Sequence, residues 1–175
     1  MNLIVSRETL LTFGDKTYRC AVGRNGFSEH KREGDLCTPV GIFPLRTVYY
    51  RTDKLPPMQT RLTHAEITPD LGWCDAPGDP AYNQIVKLPY AASHETLWRE
   101  DDVYDVVVPL GYNDDPVLPG LGSAIFLHVA RADYSPTEGC VALALPDLLE
   151  ILYNVTPDSQ IEIRPDPSRQ FLLAD

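Results

Sequence analysis

The sequence has no long hydrophobic run. None of its apolar stretches approaches the roughly 18 residues that a membrane-spanning helix needs. The stretch from Met1 to Glu8 also lacks a basic start followed by an apolar block of about 7–15 residues, which is the pattern of a secretory signal peptide. We therefore expect no membrane span, and the sequence shows no export signal.

Positive charge is also scarce. The formal net charge is −10 at pH 7, and no cluster of lysine and arginine is larger than the pair Lys31-Arg32. Binding to a nucleic-acid backbone depends on a basic surface. The composition therefore argues against a nucleic acid as a partner.

Cysteines are few and widely spaced. They are Cys20, Cys37, Cys74 and Cys140, and no two of them form a CxxC pair. This spacing argues against a structural zinc site, and we expect neither a metal nor another cofactor. A disulfide between Cys20 and Cys37 stays open if the protein is exported, whereas a cysteine that acts in catalysis has to remain free.

Proline, by contrast, is abundant. The 16 prolines are about twice the usual share, and they fall between short β-branched runs, which indicates many strands joined by fixed turns. With 43% hydrophobic and 23% charged residues, we expect one globular domain over residues 1–175. The candidate strands are Leu3–Ser6, Tyr18–Gly23, Gly41–Tyr50, Tyr104–Leu110, Ser123–Val129 and Gln160–Arg164.

Two further segments complete the predicted fold. Residues 51–100 are rich in Pro, Asp and polar groups, and we expect a long excursion that caps part of a sheet, with a short helix near Ser93–Arg99. The main helix begins at Pro146, a residue suited to a first helical position, and it carries apolar residues at helical spacing. The predicted class is therefore β-rich α+β: a mixed β-sandwich with one main helix after the cysteine loop.

One histidine and one cysteine carry the candidate chemistry. His128 ends the apolar run 123–127, and Cys140 follows in a polar loop directly after Gly139. A thiol becomes a good nucleophile as a thiolate, which an imidazole within hydrogen-bond reach can generate. Strand alternation places Ala124, Phe126 and His128 on one face. Gly139 permits a tight turn and is a candidate backbone donor to an oxyanion.

These residues resemble a known family. The run His128 … Thr137-Glu138-Gly139-Cys140 is similar to the signature of the YkuD-type L,D-transpeptidases, in which a histidine precedes a Ser/Thr-His-Gly-Cys tetrad by about a dozen residues. The stretch Thr38-Pro39-Val40-Gly41-Ile42-Phe43 resembles the family's Thr-Pro-x-Gly-x-Phe strand entry. The order of elements also agrees, so the resemblance spans roughly residues 1–165.

The sequence departs from the family pattern at two positions. Glu138 stands where the tetrad has histidine, and Ala142 stands where an arginine often follows the cysteine. A carboxylate aimed at the thiol would raise its pKa, so we expect Glu138 to point away or to hold a loop donor. The sequence is closer to a compact bacterial branch, which shares stretches like 31–35, 73–75, 110–114 and 136–140.

The resemblance implies an enzyme that acts on peptidoglycan stem peptides. Cys140 would attack the carbonyl of an L centre that precedes a D residue, forming a thioester, and an amine of another stem would take the acyl group. His128 would be the base, oriented by a backbone carbonyl as is typical of the family. Water as the acceptor would make the protein a hydrolase instead, an L,D-carboxypeptidase or amidase. Which of the stem's two L-to-D junctions is cleaved stays open.

Three further residues are candidates for the site. Thr137 either fixes the cysteine loop or contacts the substrate. Tyr112 and Asn113 follow the apolar run Val106–Leu110, and we expect them beside the histidine strand as substrate-binding residues. Alternatively, Tyr112 and Asn113 are polar turn residues without contact to the substrate.

Other classes fit the sequence less well. Sortases also place His before Cys, but over a longer interval and with a late arginine, for which only Arg164 is available. Papain-like peptidases place Cys first. A non-catalytic wall-binding domain is the alternative of a different class. Because peptidoglycan lies outside the cytoplasm, we expect a periplasmic monomer, with a cytoplasmic location as the alternative.

Overall fold

The chain folds around one large, curled mixed sheet. The computed structural model describes residues 2–7 and 9–165. The described residues include one helix, α1 (Leu145–Asn154). Within the described residues the strands are, in chain order, β1 (Leu3–Val5), β2 (Leu10–Phe13), β3 (Lys16–Ala21), β4 (Phe27–Ser28), β5 (Thr38–Pro39), β6 (Gly41–Pro44), β7 (Val48–Tyr50), β8 (His64–Glu66), β9 (Leu71–Cys74), β10 (Ile85–Lys87), β11 (His94–Thr96), β12 (Val106–Pro109), β13 (Phe126–Val129), β14 (Val141–Leu143) and β15 (Gln160–Ile163).

The large sheet contains ten strands in the order β6-β15-β1-β2-β3-β14-β13-β12-β7-β8. Three of its neighbouring pairs are parallel: β1 with β15, β13 with β14, and β7 with β8. Two smaller sheets, β10-β9-β11 and β4-β5, complete the structure. This architecture confirms the predicted β-rich α+β class, a mixed β-sandwich with one main helix.

One predicted strand is two strands in the structure. The sequence predicts a single strand over Gly41–Tyr50, but β6 ends at Pro44 and β7 begins at Val48. β6 pairs with β15 at one end of the large sheet, whereas β7 pairs with β12 near the other end. The chain must therefore break its strand to cross from one pairing partner to the other.

Strand β13 separates two apolar clusters. Leu127 and Val129 point into the larger core, whereas Ala124 and Phe126 belong to a smaller core on the opposite face. His128 shares the face of Phe126, because side chains along a strand alternate. This confirms the face assignment predicted from the sequence and directs the histidine away from the larger core.

Helix α1 lies on the larger core. It begins at Leu145, one residue before the predicted Pro146, and it carries Asp147 in its first turn, where a negative charge favours the helix dipole. Leu148, Ile151 and Leu152 form its buried face. Among residues 2–7 and 9–165, no helix has the length and apolar character needed to cross a bilayer.

Residues 51–100 form a cap over the smaller core. β8 joins the edge of the large sheet, and β9, β10 and β11 form the three-stranded sheet. Ile67, Leu71 and Leu97 are buried in the smaller core together with Phe126 of β13. The predicted capping excursion is therefore confirmed, and it covers the face of the large sheet that carries His128.

The short helix predicted near Ser93–Arg99 is wrong. His94–Thr96 is strand β11, which pairs antiparallel with β9 in the register His94 to Cys74 and Thr96 to Gly72. The local sequence favours no structure strongly. Pairing with β9, together with burial of Leu97 beneath the cap, decides the conformation.

Candidate active site

Cys140 lies at the start of β14, next to the strand that carries His128. The two strands are parallel, with Leu127 opposite Val141 and His128 opposite Ala142. Partners in a ladder place their side chains on the same face, so Cys140 falls on the face of Phe126 and His128. Strand spacing and rise then put its backbone roughly 8 Å from that of His128, which two side chains can span.

The thiol of Cys140 is held by the backbone of the segment before β13. Its Sγ donates to the carbonyl oxygen of Ala124 at 3.2 Å and accepts from the backbone N–H of Phe126 at 3.3 Å. Cys140 is only 7% exposed. Burial raises the pKa of the thiol well above its ordinary value, and the nearby charge of Glu95 raises it further. The resting form is therefore a neutral thiol.

His128 is held by a main-chain carbonyl. Its Nδ1 lies 2.9 Å from the carbonyl oxygen of Val129, and since a carbonyl can only accept, Nδ1 carries the hydrogen. The other nitrogen, Nε2, is then the basic one. Burial lowers the pKa of His128 to about 4, although the carbonyls of Val129 and Val103 oppose this shift. The ring is neutral at pH 7 and able to accept a proton.

A tyrosine and a glutamate link His128 to the cap. The ring of Tyr104 packs edge-on against the imidazole, with 5.3 Å between the centroids. The Tyr104 hydroxyl donates to a carboxylate oxygen of Glu95 in β11. Burial raises the pKa of both groups, and for Glu95 the hydrogen bond from Tyr104 opposes this shift. The cap therefore contributes a carboxylate beside the thiol, and Tyr104, which lies just before β12, contributes a ring contact to the histidine.

His128 and Cys140 both line one cleft between the large sheet and the cap. Its volume is about 750 Å³. Charged side chains of both signs surround it, and a ligand that carries both ammonium and carboxylate groups matches such a lining. The charged lining residues are Arg24, Lys31, Glu33, Asp75, Glu95, Arg99, Arg131 and Glu138.

The Thr137 hydroxyl braces the cysteine loop. It donates to the carbonyl oxygen of Cys140 at 2.6 Å and accepts from the N–H of Gly139 at 3.2 Å. Gly139 has a φ of +136°, and a Cβ there would lie 2.8 Å from the carbonyl oxygen of Cys37. Thr137 and Gly139 thus fix the turn. Their direct roles, as substrate contact and as oxyanion donor, stay predictions.

Glu138 is exposed at the rim of the cleft. Its charge raises the pKa of Cys140, but burial and Glu95 contribute more. The sulfur's own hydrogen bonds are to backbone atoms of 124 and 126. The residue that departs from the family tetrad is therefore placed to meet a ligand at the entrance.

The structure places Tyr112 and Asn113 outside the lining of this cleft. The Tyr112 hydroxyl donates to the carbonyl of Leu121. The Asn113 side chain donates to the carbonyl of Gly122 at 2.9 Å and accepts from the N–H of Leu118 at 2.8 Å. Both side chains close the loop that leads to β13, and their substrate contact stays a prediction.

Asn83 in the cap is a positioning residue that the sequence did not reveal. Its Oδ1 accepts from the N–H of Ala124 and from the indole of Trp73, each at 3.0 Å. Its Nδ2 donates to the carbonyls of Tyr112 and Asn113 at 3.1 and 2.8 Å. Ala124 has a φ of +52°, a conformation that costs energy for a residue with a Cβ. Asn83 holds it there, with its carbonyl toward the thiol.

The stretch 31–35, noted in the sequence without a role, also reaches this site. Lys31 is buried in the wall of the cleft and pairs with Asp35. Glu33 accepts from Ser123 at 2.7 Å and from the hydroxyl of Tyr82. The clustering of charged residues in 31–35 was the feature of the sequence that could have indicated a role for this stretch at the site. Glu95 and Tyr104 gave no comparable signal, because only the folded chain brings their side chains to the site.

All four cysteines are free thiols, so the possible Cys20–Cys37 disulfide is not formed. Cys20 is buried in the larger core, and burial raises its pKa to about 12. Among the described residues, no group of three or more His, Cys, Asp or Glu side chains is placed to hold a metal ion.

Comparison with protein families gives a match over most of the chain. The profile of the YkuD family, described as the L,D-transpeptidase catalytic domain, matches residues 4–163. This interval runs from β1 to β15 and includes both strands of the site. No curated protein and no solved structure gives a significant match.

Replacing Asn83 with alanine is expected to release the thiol. The N–H of Ala124 and the indole of Trp73 lose their acceptor, so the free energy of unfolding should fall by about 3 kcal/mol. Iodoacetamide should label Cys140 faster, since Ala124 no longer holds the sulfur in place. Trp73→Phe is the matched control, because it leaves the bond to Ala124. Labelling of Asn83→Ala at the wild-type rate would contradict the positioning role.

Burial of neutral His128 predicts a loss of stability in mild acid. Unfolded histidine titrates near pH 6.5, whereas His128 in the fold has a pKa of about 4. Between these values the unfolded state binds a proton that the folded state does not, so stability falls as pH falls. From pH 7.5 to pH 5 the wild type should lose about 2 kcal/mol more than His128→Gln. Urea unfolding at both pH values measures this, and equal losses would rule it out.

Proposed function

We propose that the chain, which belongs to the YkuD family of L,D-transpeptidase catalytic domains, is a cysteine acyltransferase that cross-links peptidoglycan stem peptides. One observation supports this most directly. Cys140 and His128 lie on the same face of adjoining parallel strands and line one cleft. This arrangement supports Cys140 as the nucleophile and His128 as the base of the family's reaction.

The first step forms a thioester. As Sγ of Cys140 attacks the carbonyl of the L centre, Nε2 of His128 takes the thiol proton. The tetrahedral intermediate then collapses, and the bond to the D residue breaks. His128 returns its proton to the departing amine. The product is an acyl group on Cys140 and a free D-residue fragment.

The electrostatics favour proton transfer during attack over a preformed ion pair. Burial raises the pKa of Cys140 and lowers that of His128, so both groups are neutral at pH 7. A thiolate–imidazolium pair would place two charges in a site where burial already disfavours the charged form of each group. Bound substrate covers the sulfur and supplies an electrophile, so that transfer of the proton to His128 is coupled to formation of the S–C bond.

The second step passes the acyl group to an amine of another stem. The ammonium group first loses one proton to solvent, and the resulting neutral amine attacks the thioester carbonyl. His128 takes the second proton from the nitrogen and returns it to the sulfur as the C–S bond breaks. Diaminopimelate, the typical acceptor of the family, carries an ammonium and a carboxylate on one carbon. The cleft lining includes the carboxylates of Glu95 and Asp75, which can attract the ammonium group. We place this activity in the periplasm, where the substrate is.

Two substitutions test the assignment. A carbapenem should acylate the wild type, seen as a mass increase of the intact protein, and Cys140→Ala should abolish this. His128→Ala should slow it by about 10²-fold or more, since the base is lost. Cys37→Ala is the matched control, because Cys37 lies outside the cleft and should leave acylation unchanged.

Muropeptides incubated with the purified protein give the second readout. Mass spectrometry should show cross-linked dimers with the wild type and none with Cys140→Ala. Trimmed stems without dimers would indicate a hydrolase. A wild type that neither carbapenem nor muropeptide acylates would indicate a binding domain and would overturn the proposal.

A further inference from the structure

A second groove lies on the other side of the cysteine loop. Its volume is about 700 Å³. We call it the arginine groove, because Arg7, Arg19 and Arg24 line it together with Phe27, Tyr134 and Pro136. It comprises the end of β3, the segment after it, and the loop that leads to Cys140.

The lining of the arginine groove is basic, although the protein as a whole is acidic. The chain has 25 acidic and 15 basic residues, yet the described residues that line the groove include three arginines and no carboxylate. No ion pair within the described part of the chain involves Arg7, Arg19 or Arg24. Arg19 lies over the Tyr134 ring, 4.2 Å from its centroid. Uncompensated like charges in one concavity attract an anionic ligand.

The groove is joined to the catalytic loop by main-chain hydrogen bonds. The N–H of Arg24 donates to the carbonyl of Thr137 at 2.8 Å, and the N–H of Thr137 donates to the carbonyl of Val22 at 2.9 Å. Gly23 pairs with Thr137 in a parallel bridge. A Cβ at Gly23 would lie 2.5 Å from the carbonyl oxygen of Leu36, so the backbone is closely packed there. A ligand in the groove would therefore lie against the backbone that holds the cysteine loop.

The groove also opens on the cleft. Arg24 and Pro136 line both cavities, whereas Cys140 and His128 line only the cleft. An extended ligand can thus occupy the groove with its main part and present one end to the sulfur past Arg24. The residues at this shared edge connect an anion-binding surface with the reacting atoms.

We propose that the arginine groove binds the carboxylates of the acyl-acceptor stem. This rests on the proposed transpeptidase function. The donor must place its scissile carbonyl at Sγ, which assigns it to the cleft. The acceptor needs only its amine at the thioester. In an amino acid centre, that amine and a carboxylate are attached to the same carbon. Arg24, at the edge shared by groove and cleft, binds this carboxylate. The stem's other carboxylates then lie along Arg19 and Arg7, as guanidinium–carboxylate pairs.

Direct binding tests the proposal independently of turnover. The probe is a fluorescently labelled tripeptide stem ending in diaminopimelate, and the protein is the full chain carrying Cys140→Ala, which removes the nucleophile and leaves the residues of the groove unchanged. Adding Arg7→Ala and Arg19→Ala should weaken binding about tenfold, since two ion pairs are lost. Adding Arg61→Ala, an exposed arginine outside both cavities, should change nothing. Raising the salt concentration should reduce the difference.

Kinetics then separate acceptor from donor. In the catalytic protein, Arg7→Ala with Arg19→Ala should raise the KM for the acceptor stem about tenfold and leave the rate of carbapenem acylation unchanged. Arg19→Lys should restore part of the acceptor affinity. Circular dichroism and urea unfolding verify that each variant is folded.

Each contrary result has a distinct meaning. Equal weakening by Arg61→Ala, or unchanged binding in the double variant, would overturn the groove as an anion site. Slower carbapenem acylation would assign the groove to the donor and overturn the acceptor proposal. A wild type without cross-linking activity would instead refute the proposed function, while the binding experiment would still decide whether the groove takes a carboxylate-bearing peptide.

Discussion

The parallel register of β13 with β14 is the constraint on which the site depends. With Leu127 opposite Val141, the residues on the other face, His128 and Cys140, are directed together into the cleft. A shift of one residue in either strand would turn its polar group into the larger core. Leu127, Val129, Val141 and Leu143 all fill that core, so burial of aliphatic side chains fixes the register. The catalytic pair is thus positioned by packing on the face it does not occupy.

The cap does more than cover this face, because it sets the electrostatics of the pair. Without it, the thiol and imidazole would be solvated and would titrate near their ordinary pKa values. The cap adds the carboxylate of Glu95 and, through Asn83, holds the strained backbone at Ala124. Glu95 also accepts a hydrogen bond from Tyr104, whose ring packs against His128. The energy that holds Ala124 at positive φ is supplied by the Asn83 amide, whose oxygen and nitrogen are both fully used. Site and cap therefore form one cooperative unit.

The sequence predicted the parts of the structure that local patterns encode. Alternation over 123–129 determined the face of His128, and the histidine–cysteine order indicated the family. The strand His94–Thr96 was missed, because only its pairing with β9 makes it a strand. The roles of Glu95 and Tyr104 were missed for the same reason, since both depend on the pairing and packing of segments that are distant in the sequence. A single sequence encodes which residues alternate, but contacts between distant segments depend on the folded arrangement.

The charge of Glu95 acts differently in the two halves of the proposed reaction. Before acylation it raises the pKa of the Cys140 thiol, so it opposes ionisation of a sulfur that no substrate covers. After acylation the sulfur has no proton to lose, and this penalty disappears. The same carboxylate then attracts a cationic amine toward the thioester. Water gains nothing from that attraction. A partly buried negative charge beside the nucleophile, unfavourable for a simple thiolate hydrolase, is thus consistent with an enzyme whose second substrate arrives as an ammonium ion.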